Sequence, residues 1–317
     1  MWMIFAILSM ILCAAGEVLG KKVVREHSAV IPLMAYATSS LFCFISAIVM
    51  WLGGLGESGA SPVQLLTENP LIILADASTF LATILTLVAF RYIGVSVEAV
   101  ISGVSAVFLF LGLVSINVFT GKLESVKELL APGRLIPVIF IIAFIFCLAR
   151  TDGKSENALP KPERKHTDML IGILIMLLSC VFDASDSLIV SYCVADDQIG
   201  AMDYYIAADF IDILFGAGCF AAAVLKAKKT RVSFRECAKA IPVMVVMGIL
   251  GVGAMYTYLA GSGYDAVKLA MLFIAYPIVP LIGARVFLKE KYTVRQYLCI
   301  FGIAAASIVF CLMDYVS

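Results

Sequence analysis

The chain has almost no histidine. Its only two, His27 and His166, both fall outside the apolar stretches. A membrane-embedded hydrolase or phosphotransferase built on His and Asp metal ligands therefore lacks its parts. Net charge is also missing, because 23 Lys and Arg balance 23 Asp and Glu. No nucleic-acid partner is implied by such a balance. The nine cysteines are scattered, most of them inside apolar segments, with no Cys-x-x-Cys pair. They read as small packing residues rather than as disulfides or metal ligands. No Asn-x-Ser/Thr sequon occurs. Gly248, Gly251 and Gly253 do not follow a strand, so they are packing or hinge glycines and not a nucleotide loop. No cofactor or metal is expected, and the chain does not read as an enzyme. A basic stretch before the first apolar run is absent too. Lys21 and Lys22 come after that run, so it is read as a retained helix rather than a signal peptide.

What the chain holds in excess is apolar residue. It is 62% hydrophobic, with a mean hydropathy of +1.03. A soluble domain of this length is less apolar. A helix needs roughly 20 mainly apolar residues to cross a bilayer. Ten spans fit, near 2–20, 31–53, 70–90, 95–119, 134–149, 169–190, 204–225, 240–261, 265–288 and 294–314. The expected class is an all-α integral membrane protein. The segment 150–168, with Pro160, Pro162 and charges of both signs, is the one clear linker. It divides the chain into five-helix halves, 1–149 and 169–317. Five is odd, so the halves lie in opposite orientations, as an inverted-topology repeat.

Basic residues crowd the odd-numbered loops, with Lys21, Lys22 and Arg25 in the first and Lys226, Lys228 and Lys229 in the seventh. Odd loops are therefore expected in the cytoplasm and both termini outside, in a multi-pass protein of the cell membrane.

Against this background the intramembrane acids stand out, since a charge inside a bilayer costs several kcal/mol and marks function by default. Glu17 on the first span matches Asp183 on the sixth, and Gly20 matches Asp186. Gly16 and Gly20 form a small-xxx-small pair that lets another helix approach, within the chain or in a homodimer. Glu17 is thus expected on a packed face, binding a proton or a cation, or else paired structurally with Lys or Arg. Ser179, Asp183, Asp186 and Ser187 share one helical face. Two ionised carboxylates so placed repel, so a proton or a cation belongs between them. Asp76 heads a stripe with Thr79, Thr83 and Thr86. Tyr205, Asp209, Asp212 and Gly216 form another. Glu98 and Asp265 each open a helix and read as dipole caps. Tyr256 and Tyr276 are the deepest of several tyrosines that could wall a cation site.

Several segments resemble the drug/metabolite transporter superfamily, in its ten-helix, EamA-like branch. Pro277 to Phe310, with Phe287-Leu288-Lys289-Glu290-Lys291, Gln296 and Gly302, is similar to that family's closing hairpin. Ala89 to Val100 resembles its turn between the third and fourth helices, and Asp265-Ala266-Val267 echoes Glu98-Ala99-Val100. Ala14 to Gly20 is similar to the first helix of the small multidrug resistance proteins. There a glutamate binds the proton and the cationic substrate in alternation, a role that falls here on Glu17. The fourth helix lacks the proline found at Pro277 in the ninth, a departure from the repeat. The resemblance implies a secondary active transporter of a small organic metabolite, a cation or zwitterion such as an amine or amino acid. Glu17 and Asp183 are expected to couple it to protons, and Asp76, Asp209 and Asp212 to help hold the substrate. An exchanger without proton coupling, in which the acids only select cations, stays open. So does a non-transporting membrane subunit.

Overall fold

A computed structural model describes residues 2–26, 30–93, 98, 101–102, 104–119, 121, 132–151, 166–195, 199–230, 240–258, 276, 278–287 and 293–313. The described residues form helices and turns without a strand. In chain order the helices are α1 Trp2–Glu26, α2 Ile31–Leu52, α3 Pro62–Glu68, α4 Leu71–Ala89, α5 Val104–Phe119 and α6 Pro132–Thr151. They continue with α7 His166–Ala195 and α8 Ala201–Thr230, then α9 Ala240–Tyr258, α10 Ile278–Phe287 and α11 Val294–Met313. Six of these, α1, α2, α4, α7, α8 and α9, contain a stretch long and apolar enough to cross a membrane.

Local chemistry sets several ends. Pro32 occupies the first turn of α2, where a missing N–H costs nothing. The seven-residue α3 was not expected. Ser61 caps it by accepting from Gln64 N at 3.2 Å, and Pro62 follows as its first residue. Gly54 and Gly59 take positive φ (67° and 68°) in the loop before it, which turns the chain back over the bundle end. That loop is fastened to α8, where the Asp203 carboxylate accepts from Ser58 N at 2.9 Å. The helices α1, α7 and α8 also run past their expected apolar spans into charged sequence, because nothing there breaks a helix.

Two seams dominate the packing, α2 against α8 and α4 against α7, with α6 against α11 and α1 against α10 beside them. Close approach in the first seam depends on Gly216, since a Cβ there would lie 2.7 Å from Ser40 Cβ. In the same way Gly248 of α9 lies against the Phe42 ring, and Gly172 of α7 against Tyr92. Gly20 seats Met247, whereas a Cβ at Gly16 would meet nothing within 4 Å. The expected small-residue pair on α1 is therefore used within the chain at Gly20 alone. Hydroxyls bind the helices further: Ser9 donates to Ala254 O at 2.7 Å and Ser179 to Ala82 O at 2.8 Å.

The outside of the bundle is apolar. On α7 the residues Ile171, Leu174, Leu178 and Val181 make an exposed stripe at helical spacing. Leu71, Leu74 and Leu81 do the same on α4. Such stripes suit contact with lipid, and a water-facing surface would not carry them.

Candidate functional site

Asp183 is solvent-exposed, yet it does not face outwards. It follows Val181, a member of the apolar stripe, by two residues, which is about 200° around the helix. Its exposure is therefore on the inner side of α7. Exposed Thr79 stands in the same relation to Leu81 on α4. The two helices pack together, so both residues open onto solvent-accessible space inside the bundle.

Around that space the carboxylates fall into two groups. The first gathers on α1 and α7. Glu17 and Asp183 lie within electrostatic reach of each other, and the Tyr276 hydroxyl is directed at Glu17. The Ser105 hydroxyl of α5 lies near the Asp183 carboxylate. One oxygen of Glu17, Oε2, is buried without a hydrogen-bond partner. Glu98, 1% exposed, completes this group. Its charged neighbours are Glu17 and Lys21, and its Oε2 also lacks a partner. Lys21 is buried and donates to the carbonyl oxygens of Phe90 and Ile93, with its ammonium 5.3 Å from the Phe90 ring centroid.

The second group lies between α2, α4 and α8. Asp76, Asp209 and Asp212 are each at most 9% exposed. Tyr36 donates to Asp212 Oδ1, and Ser46 donates to Asp209 Oδ2 at 3.2 Å. Tyr256 of α9 meets Ser46 and Asp209. Asp76 Oδ2 is buried with no partner, as is the hydroxyl of Tyr204, which faces Asp76 and Asp186. The charged groups facing Asp76 are Asp212, Asp209 and Asp186. Aromatic rings close one side: Phe80 meets Tyr36 edge-on and stacks on Phe215, each at a centroid distance of 5.0 Å.

Asp186 joins the groups. It lies near Thr79, whose hydroxyl donates to Ala75 O at 3.3 Å, and stands within reach of both Asp183 and Asp76. Thus Glu17, Asp183 and Tyr276 come together, Asp76, Asp209, Asp212 and Tyr256 come together, and Asp186 lies between. No cluster of three His, Cys, Asp or Glu side chains suited to a metal ion occurs among the described residues.

Two members were not expected. Lys21 was counted as a loop cation and Glu98 as a helix cap. Both instead enter the interior, because α1 continues to Glu26 and carries Lys21 into the C-terminal turn of α4. Lys21 lies one residue past the first apolar span and Glu98 three residues inside the fourth, and neither position tells a residue that snorkels out from one packed inwards. Asp265 and residues 152–165 of the linker lie outside the described residues.

No family model matches the chain, and no curated protein is similar to it in sequence. Its fold is shared with a solved structure known by the words "Crystal structure of protein", at a TM-score of 0.63 and 14% identity. The match covers 98% of this chain and 96% of that one, so the likeness extends to the architecture as a whole.

Proposed function

We propose that the chain is a secondary active transporter of the drug/metabolite type, moving a small organic cation or zwitterion by alternating access. One observation carries this reading: Asp183 is open to solvent on the side of α7 turned away from its apolar stripe and lies within electrostatic reach of Glu17. Carboxylates in wet space inside an apolar bundle can be reached by protons and by a cationic solute, and a purely structural acid has no need of that access. The helix pairing supports the same reading. If the ten apolar spans form two inverted repeats, contact between the first and eighth mirrors contact between the sixth and third. Ser9 to Ala254 and Ser179 to Ala82 make those two contacts. Glu17 and Asp183 then carry protons at the repeat interface, and the second group of acids holds the substrate.

The test is uphill uptake of labelled amines and amino acids into proteoliposomes, driven by an imposed pH gradient and compared with protein-free vesicles. Wild-type uptake is expected to depend on pH. Glu17→Gln keeps shape and hydrogen bonding but cannot release a proton, so it should lose uphill uptake while exchange of labelled for unlabelled solute survives. If the variant and the wild type accumulate the solute equally with the same pH profile, Glu17 is structural and proton coupling through it is excluded.

A further inference from the structure

The two groups of carboxylates differ in one respect that bears on what they bind. The group on α1 and α7 has a resident cation, because the buried Lys21 lies within electrostatic reach of Glu98. The group between α2, α4 and α8 has none among the charged neighbours of its described members: Asp76, Asp209 and Asp212 face one another and Asp186. Their hydrogen bonds come from neutral hydroxyls, those of Tyr36 and Ser46. Several carboxylates removed from water without a counter-charge hold protons or take a positive partner, which displaces those protons when it binds. The unmet acceptors say what kind. Asp76 is 8% exposed and its Oδ2 lacks a donor, and the Tyr204 hydroxyl, on a side chain 2% exposed and within electrostatic reach of Asp76, lacks a partner too.

We propose that this second group is a subsite for a primary ammonium carrying an aromatic or bulky apolar body. The assignment rests on the transporter reading above and deepens it by separating the substrate's place from the proton's. A primary ammonium brings three N–H donors and one positive charge. Asp76 Oδ2 and the Tyr204 oxygen take two of the donors, and the surrounding carboxylates compensate the charge. A quaternary ammonium brings the charge without donors and leaves both oxygens unmet, which is costly for buried acceptors. An amino acid adds a carboxylate, which meets only like charge here. The stacked pair Phe80 and Phe215, with the Tyr36 ring against Phe80, offers a face to an apolar body. The first group, by contrast, already has Lys21 and is left to cycle a proton.

Calorimetric titration of the purified full chain in detergent, without any gradient, distinguishes these ligands. The probes are phenethylamine, its trimethylated analogue and phenylalanine, which share one aromatic skeleton. Phenethylamine is expected to bind at least about tenfold more tightly than either of the others, a difference of about 1.4 kcal/mol. Asp76→Asn should weaken phenethylamine at least tenfold at every pH. Glu17→Gln should instead flatten the pH dependence of its binding. Should Asp76→Asn fail to fold, Asp209→Asn, which keeps the contact with Ser46 but removes the charge, should give the same loss. Equal binding of the three probes, no binding of phenethylamine, or tight binding retained in the Asp variants overturns the subsite. Because no proton gradient is used, loss of coupled uptake in vesicles bears on the transporter reading and leaves this result untouched.

Discussion

Lys21 shows how much one side chain decides. It is a buried ammonium that ties α1 to the end of α4 through two carbonyl oxygens, and it faces Glu98. Replacing it with Met keeps the stem's volume but leaves Glu98 without its cation. It also removes the donor to the Phe90 and Ile93 carbonyl oxygens, and a buried group left unsatisfied costs about 1–3 kcal/mol. The Lys21→Met variant should therefore unfold at a lower temperature. Adding Glu98→Gln should recover part of the loss, since the stranded charge is then gone. A double variant no more stable than the single one would show that the pair is not coupled. At this scale the sequence was legible where residues repeat on one helical face. Asp76 with Thr79, and Asp209 with Asp212, were visible as stripes in apolar helices. Lys21 and Glu98 were not, because their inward direction is set by which helix packs across them. The orphan oxygen of Asp76 was hidden for the same reason: partners that are absent in space leave no mark in a sequence.

Among the elements, the seam of α2 and α8 carries the clearest packing requirement. A methyl group at Gly216 would collide with Ser40, whereas one at Gly218 on the same helix meets nothing within 4 Å. Overpacking of this kind costs about 1–3 kcal/mol. Gly216→Ala should thus lower the thermal midpoint clearly. Gly218→Ala should leave it unchanged or raise it slightly, since Ala outranks Gly in a helix by about 1 kcal/mol. Equal effects of the two changes would remove Gly216 from the seam. Apolar periodicity gave away the long helices, whose spans were read close to where α2 and α4 lie. It did not show α3, since a seven-residue helix capped by Ser61 has no hydrophobic run to reveal it. Nor did it show the pairings, as contacts between α2 and α8 join residues far apart in the chain.

For the whole molecule, the bias of basic residues predicts which side each end faces. In a background stripped of native cysteines, a cysteine replacing Ser155 in the linker should resist an impermeant thiol reagent added outside intact cells. One replacing Gln64, exposed on α3, should react. The opposite pattern would invert the orientation and exchange every cytoplasmic and external assignment. Helices long and apolar enough to cross a membrane were legible from composition and run length, because in lipid a chain so apolar satisfies its backbone most readily as helix. The site's division into two groups was not, since it depends on how far apart the helices hold their acids.

The solvent that reaches Asp183 also changes how the bundle feels voltage. Water polarises readily, so in an energised membrane little of the potential falls across the wet space, and most of it falls across the packed layers that remain. A full crossing is worth about 2.3 kcal/mol per charge at 100 mV. In a transporter of the kind proposed above, an ion moving between Asp186 and Asp183 would traverse only a fraction of this drop. The larger share belongs to whichever seam of side chains separates the carboxylates from the opposite bath. In such a transporter, membrane voltage should therefore act chiefly on the opening and closing of that seam, and only weakly on the affinity of the carboxylates themselves.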